Sequence, residues 1–563
     1  MSSQSSSSSP LDRLRIAVAQ VNPSVGDVAG NTDMIRTARR QAADQKADLV
    51  LFPELVLSGY PPEDLVLKPA FVQSCRDAVE ALAAETADGG PGLIVGAPWR
   101  EDDGLYNAAI LLDAGEIQAV RFKSDLPNYG VFDEKRVFKP GPLPGPVGFR
   151  GVRIGVPVCE DIWNDEVCEC LAETGAELLL VPNGSPYWQN RTEERLQIVV
   201  ARIVESELPL IYCNQVGGQD ELVFDGASFA LQADRTLAFQ MPQFQSELSV
   251  SDWVRKADGG WVCEDGPRAG LPDLDEANWR ACVLGLRDYV LKNGFPGVVF
   301  GLSGGIDSAV CAAMAVDALG PDKVHAIMLP YRYTSNESIN DATDCAAALG
   351  IRYDTVPIGE PVEGFTRILD PLFSGTPSGT TEENLQSRAR GVVLMAISNK
   401  FGHMVVTTGN KSEMSVGYAT LYGDMNGGFN PIKDLYKTQV YHLAEWRNRH
   451  CPDCMLGPDG EVIPPNIITK VPSAELRENQ TDQDSLPPYD ALDDILACLV
   501  ENEMAVSEIE RRGHDRGLIH KIENLLYVAE YKRRQAPPGV KITERNFGKD
   551  RRYPITNRFR DRS

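Results

Sequence analysis

The sequence lacks any apolar run close to the roughly 20 residues that a helix needs to cross a bilayer. Its first residues, Ser2 to Ser9, are Ser/Gln-rich and contain no apolar core of the kind found in a signal peptide. Such a composition cannot bury apolar area, so residues 1–11 are predicted to be a disordered tail. Together these absences predict a soluble, cytoplasmic protein with no membrane partner.

Basic residues are in deficit as well. There are 55 Lys+Arg against 80 Asp+Glu, which gives a formal net charge of -25. Nonspecific binding to nucleic acid depends on Lys and Arg that neutralise phosphates, so we expect no nucleic-acid partner. Binding of small anionic ligands is still possible wherever local hydrogen-bond donors outweigh the negative potential of the whole protein.

Cysteine is too dilute for a disulfide scaffold, because only twelve are spread over 563 residues. A reducing compartment is the better fit. The Cys451 to Cys454 stretch is a single CxxC beside His450, and no second ligand pair follows at the spacing of a zinc site. An irregular loop is therefore favoured there over a metal centre.

The length of the chain exceeds what one hydrophobic core usually supports, and this indicates two domains. From Leu14 to about Phe239, β-rich apolar runs alternate with helical patterns, which predicts α/β layers. From Gln240 to about Leu274 the sequence turns polar, with Gly and Pro. We predict an N-terminal domain over 12–250, a linker over 251–273 and a C-terminal domain over 274–563.

The N-terminal runs have defined bounds. Strands are predicted over Arg15 to Val21, Asp48 to Phe52, Gly92 to Ala97, Val152 to Val158, Glu177 to Val181 and Leu208 to Asn214, and helices over Asn31 to Gln45 and Arg195 to Ser206.

A glycine-rich loop opens the C-terminal domain between a predicted buried strand, Gly297 to Phe300, and a predicted helix, Asp307 to Leu319. The loop reads Gly301, Leu302, Ser303, Gly304, Gly305, Ile306, Asp307, Ser308. Backbone N–H groups at a helix N-terminus favour phosphate, and Asp307 is placed to hold Mg²⁺ between phosphates. No Lys follows the glycines, so this is not a Walker A loop. An ordinary capped turn is the alternative reading.

These eight residues resemble the pyrophosphate-binding loop of the N-type ATP pyrophosphatases, which adenylate an acyl or amide oxygen. Further motifs downstream resemble the NAD synthetase family over nearly the whole second half. They are Thr381 to Arg390, Thr407 to Glu413, Gly417 to Asp424, Asn430 to Val440, Pro472 to Leu476, Asn479 to Asp482 and Tyr531 to Gln535. The resemblance implies a doubly wound, Rossmann-like parallel sheet.

The same resemblance assigns residues to ligands. It implies that Thr408 and Lys437 contact ATP, and that Asn384, Glu413 and Lys532 contact deamido-NAD. Glu413 is also a candidate second ligand for Mg²⁺, beside Asp307. Any one of these charged residues alone would more commonly be a solvated surface residue, and only the ordered set indicates a site. The family further implies a homo-oligomer.

The N-terminal half carries a cysteine at a predicted strand end, Cys159, with two ionisable residues beside other apolar strands, Glu54 and Lys123. Their order and contexts resemble the nitrilase superfamily, which implies an αββα sandwich. By that resemblance Cys159 attacks an amide carbon, Glu54 acts as general base and then acid, and Lys123 stabilises the oxyanion. Glu134 is a candidate second carboxylate that orients these groups.

Asn183 to Tyr187 resembles the glutaminase domains that are fused to NAD synthetases. This implies that Tyr129, Ser185 and Arg191 contact L-glutamine. Arg191 stands where the family pattern leads us to expect Lys. Either cation can meet a carboxylate, although their geometries differ.

The two resemblances together imply one reaction: glutamine, ATP and deamido-NAD give glutamate, AMP, pyrophosphate and NAD, with Mg²⁺. Making ammonia on the same polypeptide is sensible because ammonium, the main form at neutral pH, cannot attack an acyl adenylate. A ligase that amidates a different carboxylate is the alternative enzyme. A nucleotide-sensing regulator with a dead amidase is the alternative class, and the presence of Glu54, Lys123 and Cys159 disfavours it.

Overall fold

The computed structural model describes residues 12–563, so the predicted disordered tail lies outside the described residues. The chain divides into two compact units. Unit 1 comprises the residues up to Gln219 together with Val223–Pro272, and unit 2 comprises Asp220–Leu222 together with Asp273–Ser563.

Unit 1 is a layered α/β structure whose elements have the following bounds. Its strands are β1 (Arg13–Gln20), β2 (Leu49–Leu51), β3 (Gly92–Glu101), β4 (Gly104–Asp113), β5 (Glu116–Phe122), β6 (Val147–Phe149), β7 (Val152–Gly155), β8 (Leu178–Asn183), β9 (Leu210–Asn214), β10 (Val216–Gln219), β11 (Leu222–Asp225), β12 (Phe229–Leu231), β13 (Leu237–Gln240), β14 (Glu247–Arg255) and β15 (Trp261–Asp265). Its helices are α1 (Val28–Asp44), α2 (Pro69–Glu85), α3 (Glu166–Glu173) and α4 (Arg191–Ser206), with 3-10 turns over Glu63–Leu67, Thr86–Asp88, Glu134–Arg136 and Cys159–Ile162.

Two large sheets face each other in unit 1. One has the strand order β15-β14-β1-β2-β3-β4-β5 and the other β13-β12-β9-β8-β7-β6. Alternate residues of β1 point to opposite faces. Ile16 and Val18 pack against residues of the second sheet, whereas Ala17 and Ala19 pack against helices α1 and α2. Helices α3 and α4 cover the outer face of the second sheet. The predicted αββα sandwich is confirmed.

The stretch predicted as a linker, 251–273, has a different structure. It contains the end of β14 and all of β15, and β14 pairs antiparallel with β1 along its whole length. The buried positions of β14 are Ser249, Ser251 and Trp253. Because two of these three inward residues are polar, the alternation that marks a half-buried strand is hidden from a hydropathy pattern.

Unit 2 begins with a helix and is rich in helices towards its C-terminus. Its strands are β16 (Val298–Gly301), β17 (Val324–Met328), β18 (Arg352–Thr355) and β19 (Met404–Val405). Its helices are α5 (Leu274–Lys292), α6 (Ile306–Leu319), α7 (Asn336–Leu349), α8 (Gly359–Phe373), α9 (Thr380–Phe401), α10 (Lys411–Val416), α11 (Lys437–Arg449), α12 (Pro465–Thr469), α13 (Tyr489–Val500), α14 (Val506–Arg511), α15 (Arg516–Val528) and α16 (Glu530–Arg533), with 3-10 turns over Pro321–Lys323 and Asp482–Asp484.

The sheet of unit 2 is parallel and has the order β18-β17-β16-β19. The chain moves outward from β16 to β17 and β18, and then returns to add β19 on the other side of β16. This reversal creates a topological switch point between β16 and β19, where open α/β sheets bind ligands at their carboxyl ends. The predicted doubly wound, Rossmann-like sheet is confirmed. No helix within residues 12–563 is long and apolar enough to cross a membrane.

Candidate functional site

Cys159 lies at the start of a 3-10 turn that follows β7, and its side chain is buried. Its φ of 48° is in the left-handed region, which a residue with a Cβ seldom adopts and which concentrates at functional sites. Asp161 holds this turn in place. One carboxylate oxygen accepts from the Val158 N–H at 2.8 Å, and the other accepts from the backbone N–H groups of Ser124 and Asp125 at 2.9 and 2.8 Å. The turn is thereby tied to the loop that carries Lys123.

Lys123 lies between two carboxylates in the same buried pocket. Its Nζ donates to Glu54 Oε1 at 2.7 Å and to Glu134 Oε1 at 2.9 Å. Tyr60 donates its hydroxyl hydrogen to Glu134 at 2.9 Å. The structure therefore brings together Glu54, Lys123, Cys159 and Glu134, which lie far apart in sequence.

Both oxygens of Glu54 are used. Asn107 Nδ2 donates to Oε1 at 2.7 Å, and the backbone N–H of Gly184 donates to Oε2 at 2.9 Å. The same Gly184 backbone faces the thiol of Cys159. These contacts fix the carboxylate beside the sulfur, which is the arrangement a general base requires.

Burial and the neighbouring charges shift the pKa values of the ionisable groups around Cys159. Burial, followed by the nearby Glu54 charge, raises the pKa of Cys159 well above its usual value, so the thiol is neutral at rest. Burial alone would lower the pKa of Lys123, but the carboxylates of Glu134 and Glu54 hold it well above its usual value. Burial raises the pKa of Glu134 to about 7, although Lys123 opposes that rise. The site thus holds a thiol that needs a base and an ammonium that stays charged.

The three predicted glutamine contacts occupy different environments. Arg191 is buried, with its guanidinium 4.1 Å from the ring centre of Trp163 and 3.9 Å from that of Trp188, and it pairs with Glu194 at 2.8 Å. Tyr129 is half exposed and donates to Glu160 at 3.0 Å.

Ser185 is buried, and Arg195 Nε donates to its hydroxyl oxygen at 3.1 Å. Arg195 is itself held by Asp225 at 2.8 Å, and this pair is almost completely buried. The Ser185 hydroxyl is therefore already fixed by protein groups.

Sequence reasoning missed several residues that shape this pocket. Asp161 and Glu160 directly follow Cys159, and that adjacency was the only signal available for them. The others are Tyr60, Asn107 and the Arg195–Asp225 pair, whose partners are distant in sequence. Glu160 is the residue next to Cys159, and burial raises the pKa of its carboxyl group.

The glycine-rich loop of unit 2 connects β16 to α6 at the switch point. The Ser308 hydroxyl donates to Gly305 O at 2.9 Å, and the Gly305 N–H donates to Ser303 Oγ at 3.3 Å, so the loop is folded on itself. Gly304 has a φ of 77°, and a Cβ there would lie 2.3 Å from the backbone oxygen of Ser338. Only glycine fits at position 304, because the loop packs directly on α7 and leaves no room for a side chain.

A cavity of about 570 Å³ opens above this loop. Most of the predicted nucleotide contacts line it: Gly301, Leu302, Ser303, Gly305, Ile306, Asp307, Ser308, Asn384, Thr408, Glu413, Lys437 and Lys532. Asn384 accepts from the Thr420 hydroxyl at 2.9 Å, and Lys532 donates to the carbonyls of Gly417 and Ala419 at 2.7 Å each. One cavity therefore gathers side chains from most of the length of unit 2.

Asp307 and Glu413, the two predicted Mg²⁺ ligands, share one cation. Lys437 Nζ donates to Asp307 and lies 3.5 Å from Glu413 Oε1, and Asn410 Nδ2 donates to the other Asp307 oxygen at 2.9 Å. Burial and the Asp307 charge raise the pKa of Glu413 to about 8, so this pair of carboxylates favours a cation between them. Residues 12–563 contain no group of three or more His, Cys, Asp or Glu arranged to hold a metal. Two carboxylates fit Mg²⁺ when phosphate oxygens and water complete its shell.

Comparison with known proteins matches both units. The carbon-nitrogen hydrolase model matches residues 15–257, and the NAD synthase model matches residues 278–536. A glutamine-dependent NAD(+) synthetase of Rhodobacter capsulatus is 51% identical over 98% of this chain and 100% of its own length. One from Thermotoga maritima is 42% identical over 98% of this chain and 100% of its own length.

A solved structure extends the match to the fold. The glutamine-dependent NAD+ synthetase of Acinetobacter baumannii, in complex with ADP, has a TM-score of 0.77 and 40% identity over 97% of this chain and 99% of that chain. With both units matched over nearly their full length, the chain belongs to the glutamine-dependent NAD(+) synthetase family.

Proposed function

We propose that this chain catalyses the conversion of L-glutamine, ATP and deamido-NAD into L-glutamate, AMP, pyrophosphate and NAD. The observation that carries this proposal is the presence, on one chain, of a buried Cys159 beside Glu54 and Lys123, and of a nucleotide-sized cavity over the glycine-rich loop. Membership of the family supports the choice of substrates.

Amide cleavage in unit 1 begins from a neutral thiol. As the Cys159 sulfur attacks the amide carbon of glutamine, Glu54 takes the thiol proton, and the Lys123 ammonium stabilises the oxyanion. The C–N bond then breaks, Glu54 returns the proton to the leaving nitrogen, and ammonia departs from a thioester. Water, deprotonated by Glu54, cleaves the thioester to release glutamate and regenerate the thiol.

Glutamine is a zwitterion, so its recognition needs an anion and a cation next to the nucleophile. Arg191 supplies the cation for the α-carboxylate, and the Trp163 and Trp188 rings hold its guanidinium plane. Glu160, held by Tyr129, supplies the anion for the α-ammonium. Ser185 completes this subsite by shaping the wall that Arg195 supports.

Activation takes place in unit 2. The loop Gly301 to Ser308 and the N-terminus of α6 receive the ATP phosphates, with Thr408 and Lys437 as further contacts. Asp307 and Glu413 would hold Mg²⁺, which neutralises phosphate charge when it is bound. Asn384, Glu413 and Lys532 orient deamido-NAD so that its nicotinate carboxylate attacks the α-phosphate and pyrophosphate leaves. Ammonia then displaces AMP from the acyl adenylate to give the amide.

The chain is proposed to act as a homo-oligomer in the cytoplasm. All twelve cysteines are free thiols, as expected in a reducing compartment. On α8, Phe365, Ile368 and Leu372 are 44%, 72% and 76% exposed, and their spacing places them on one face. An exposed apolar stripe of this kind fits a contact with a second copy of the chain.

The test is a steady-state assay of NAD formation from deamido-NAD and ATP, with glutamine or ammonium as the nitrogen donor. We expect NAD from both donors and one AMP for each NAD. Pyrophosphate exchange into ATP is measured in parallel with deamido-NAD and with other carboxylic acids. Exchange that requires a different acid and proceeds without deamido-NAD would identify another ligase and refute the proposal.

A further inference from the structure

Two helices of unit 2 begin at the ATP cavity. Asp307 lies in the first turn of α6, and Lys437 is the first residue of α11. These two side chains form an ion pair that lines the cavity. The position of Lys437 in the cavity therefore depends on how α11 lies along α6, together with the bond from the Lys437 N–H to Ser412 Oγ at 2.9 Å.

A second ion pair joins the same helices at their other ends. Asp317 follows Asp307 by ten residues on α6, and Arg447 follows Lys437 by ten residues on α11. Arg447 Nε donates to Asp317 Oδ2 at 2.7 Å and Nη2 donates to Oδ1 at 2.9 Å. The helices therefore run parallel, joined at two levels about 15 Å apart along their axes.

The described residues of unit 2 bury this second pair completely. Both side chains have 0% exposure. Trp279 on α5 donates its indole N–H to Asp317 Oδ2 at 2.8 Å, and Arg447 Nη2 also donates to Pro458 O at 2.8 Å. A Cβ on Gly457 would lie 2.2 Å from Asp317 Oδ1, so the loop from Cys451 covers the pair at close contact. The lone CxxC stretch thus belongs to this cover.

A bidentate pair of this kind constrains geometry more than it adds stability. Buried ion pairs can often be replaced by apolar residues without loss of stability. The two parallel hydrogen bonds of an Arg–carboxylate pair, however, form only when the two helices have one relative orientation and one alignment along their axes. A slip of one residue along a helix moves every side chain by about 1.5 Å. A displacement of about 1 Å at a reacting centre can cost about 100-fold in rate.

We propose that Arg447, acting through Asp317, is a positioning residue that fixes the register of α11 on α6 and thereby holds Lys437 at the ATP phosphates. This inference rests on the proposed function, in which Lys437 contacts ATP. Arg447 lies at the far end of α11 and acts only through the helix.

The test uses the full-length enzyme with ammonium as the donor, and measures kcat and KM for ATP in NAD formation. The pair is replaced by Asp317→Asn with Arg447→Met, because Asn keeps an acceptor for the Trp279 indole. The same double change is made in a Lys437→Met background. Glu445→Gln with Arg449→Met removes an exposed ion pair of the same helix and serves as the matched control.

We expect the pair variant to lose about tenfold or more in kcat/KM for ATP. In the Lys437→Met background the same change should cost less than about twofold, because its effect passes through Lys437. The control should match the parent enzyme. An equal loss of kcat/KM for ATP in both backgrounds would indicate a general structural role and overturn the inference. A pair variant with the kcat/KM of the parent enzyme would overturn it as well.

If thermal melting shows that the pair variant does not fold, Arg447→Lys enters the same cycle. It keeps the charge and loses the bidentate contact, so the same two outcomes decide the inference. A parent enzyme that is active only with glutamine is assayed with glutamine in the same cycle. A parent enzyme that makes no NAD from either donor would instead refute the proposed function, and the two failures are therefore distinguishable.

Discussion

The ammonium of Lys437 bridges α11 to α6 by donating to the carboxylate of Asp307, at the mouth of the glycine-rich loop. Glu413 Oε1 lies 3.5 Å from the same ammonium. In the proposed function this cluster meets the phosphate charge of ATP, so the chemistry of unit 2 should depend on this one cation.

Replacing Lys437 with Met should lower NAD formation by about 10²- to 10³-fold with either nitrogen donor, because a preorganised cation at the phosphates is lost. Hydrolysis of glutamine measured without ATP and deamido-NAD should persist. Initial rates of the two reactions on the same preparation provide the comparison. If glutamine hydrolysis fell in parallel with NAD formation, Lys437 would have no specific role in ATP chemistry.

Replacing Cys159 with Ala should separate the two nitrogen donors. Glutamine-dependent NAD formation should fall by at least roughly 10³-fold, because the nucleophile is removed. Ammonium-dependent formation should stay within the range of the parent. Cys213→Ala is the matched control, since Cys213 is a buried cysteine of the same core. Loss of activity with both donors in the Cys159 variant, alongside an intact control, would contradict the division of labour between the units.

The pKa of Glu134, raised to about 7 by burial, predicts a pH dependence for glutamine hydrolysis. Below that pKa the carboxyl is protonated, and Lys123 loses one of the two charges that hold it. The rate should therefore fall by up to about tenfold per pH unit as the pH drops below 7. Glu134→Gln should be slower and should lack this acidic limb. An unchanged profile in the variant would assign the limb to a different group.

Arg191→Met should raise KM for glutamine by about 10- to 150-fold, because a hydrogen-bonded charge contact is worth about 1.5–3 kcal/mol. Ammonium-dependent synthesis should be unaffected. Arg202→Met is the matched control, since Arg202 also forms an i,i+3 ion pair on α4. Arg191→Lys tests geometry and should recover part of the loss. A glutamine KM that stays at the parent value in Arg191→Met would remove this residue from the subsite.

The exposed face of α8 can be tested through the size of the protein in solution. Leu372→Glu should lower the molecular mass measured by analytical ultracentrifugation, because an interface would have to bury an unpaired carboxylate. Arg367→Glu changes a residue off this face and should leave the mass unchanged. Equal masses for the parent and the Leu372 variant would show that this face is not the interface.

Local patterns identified much of the fold. The predicted strands over Val152 to Val158 and Gly297 to Phe300 correspond to β7 and β16, and the helix after the glycine loop corresponds to α6. The end of β14 was missed because serines occupy two of its inward positions, and β15 was missed because it is a short strand of 5 residues. In the site, the glycine loop is contiguous and could be recognised at once, whereas Tyr60 and Asn107 carry no local signal for their contacts with Glu134 and Glu54.

By itself, the sequence determined the two α/β halves, the glycine-rich loop between strand and helix, and the order of Glu54, Lys123 and Cys159, because these depend on periodicity or on contiguous motifs. Only the tertiary structure decided that Lys123 lies between two carboxylates, that Asp161 ties the nucleophile turn to the Lys123 loop, and that Arg447 pairs with Asp317. Such contacts join residues tens to hundreds of positions apart. Their partners are chosen by packing and by the cost of leaving a buried charge unpaired, which no local pattern records.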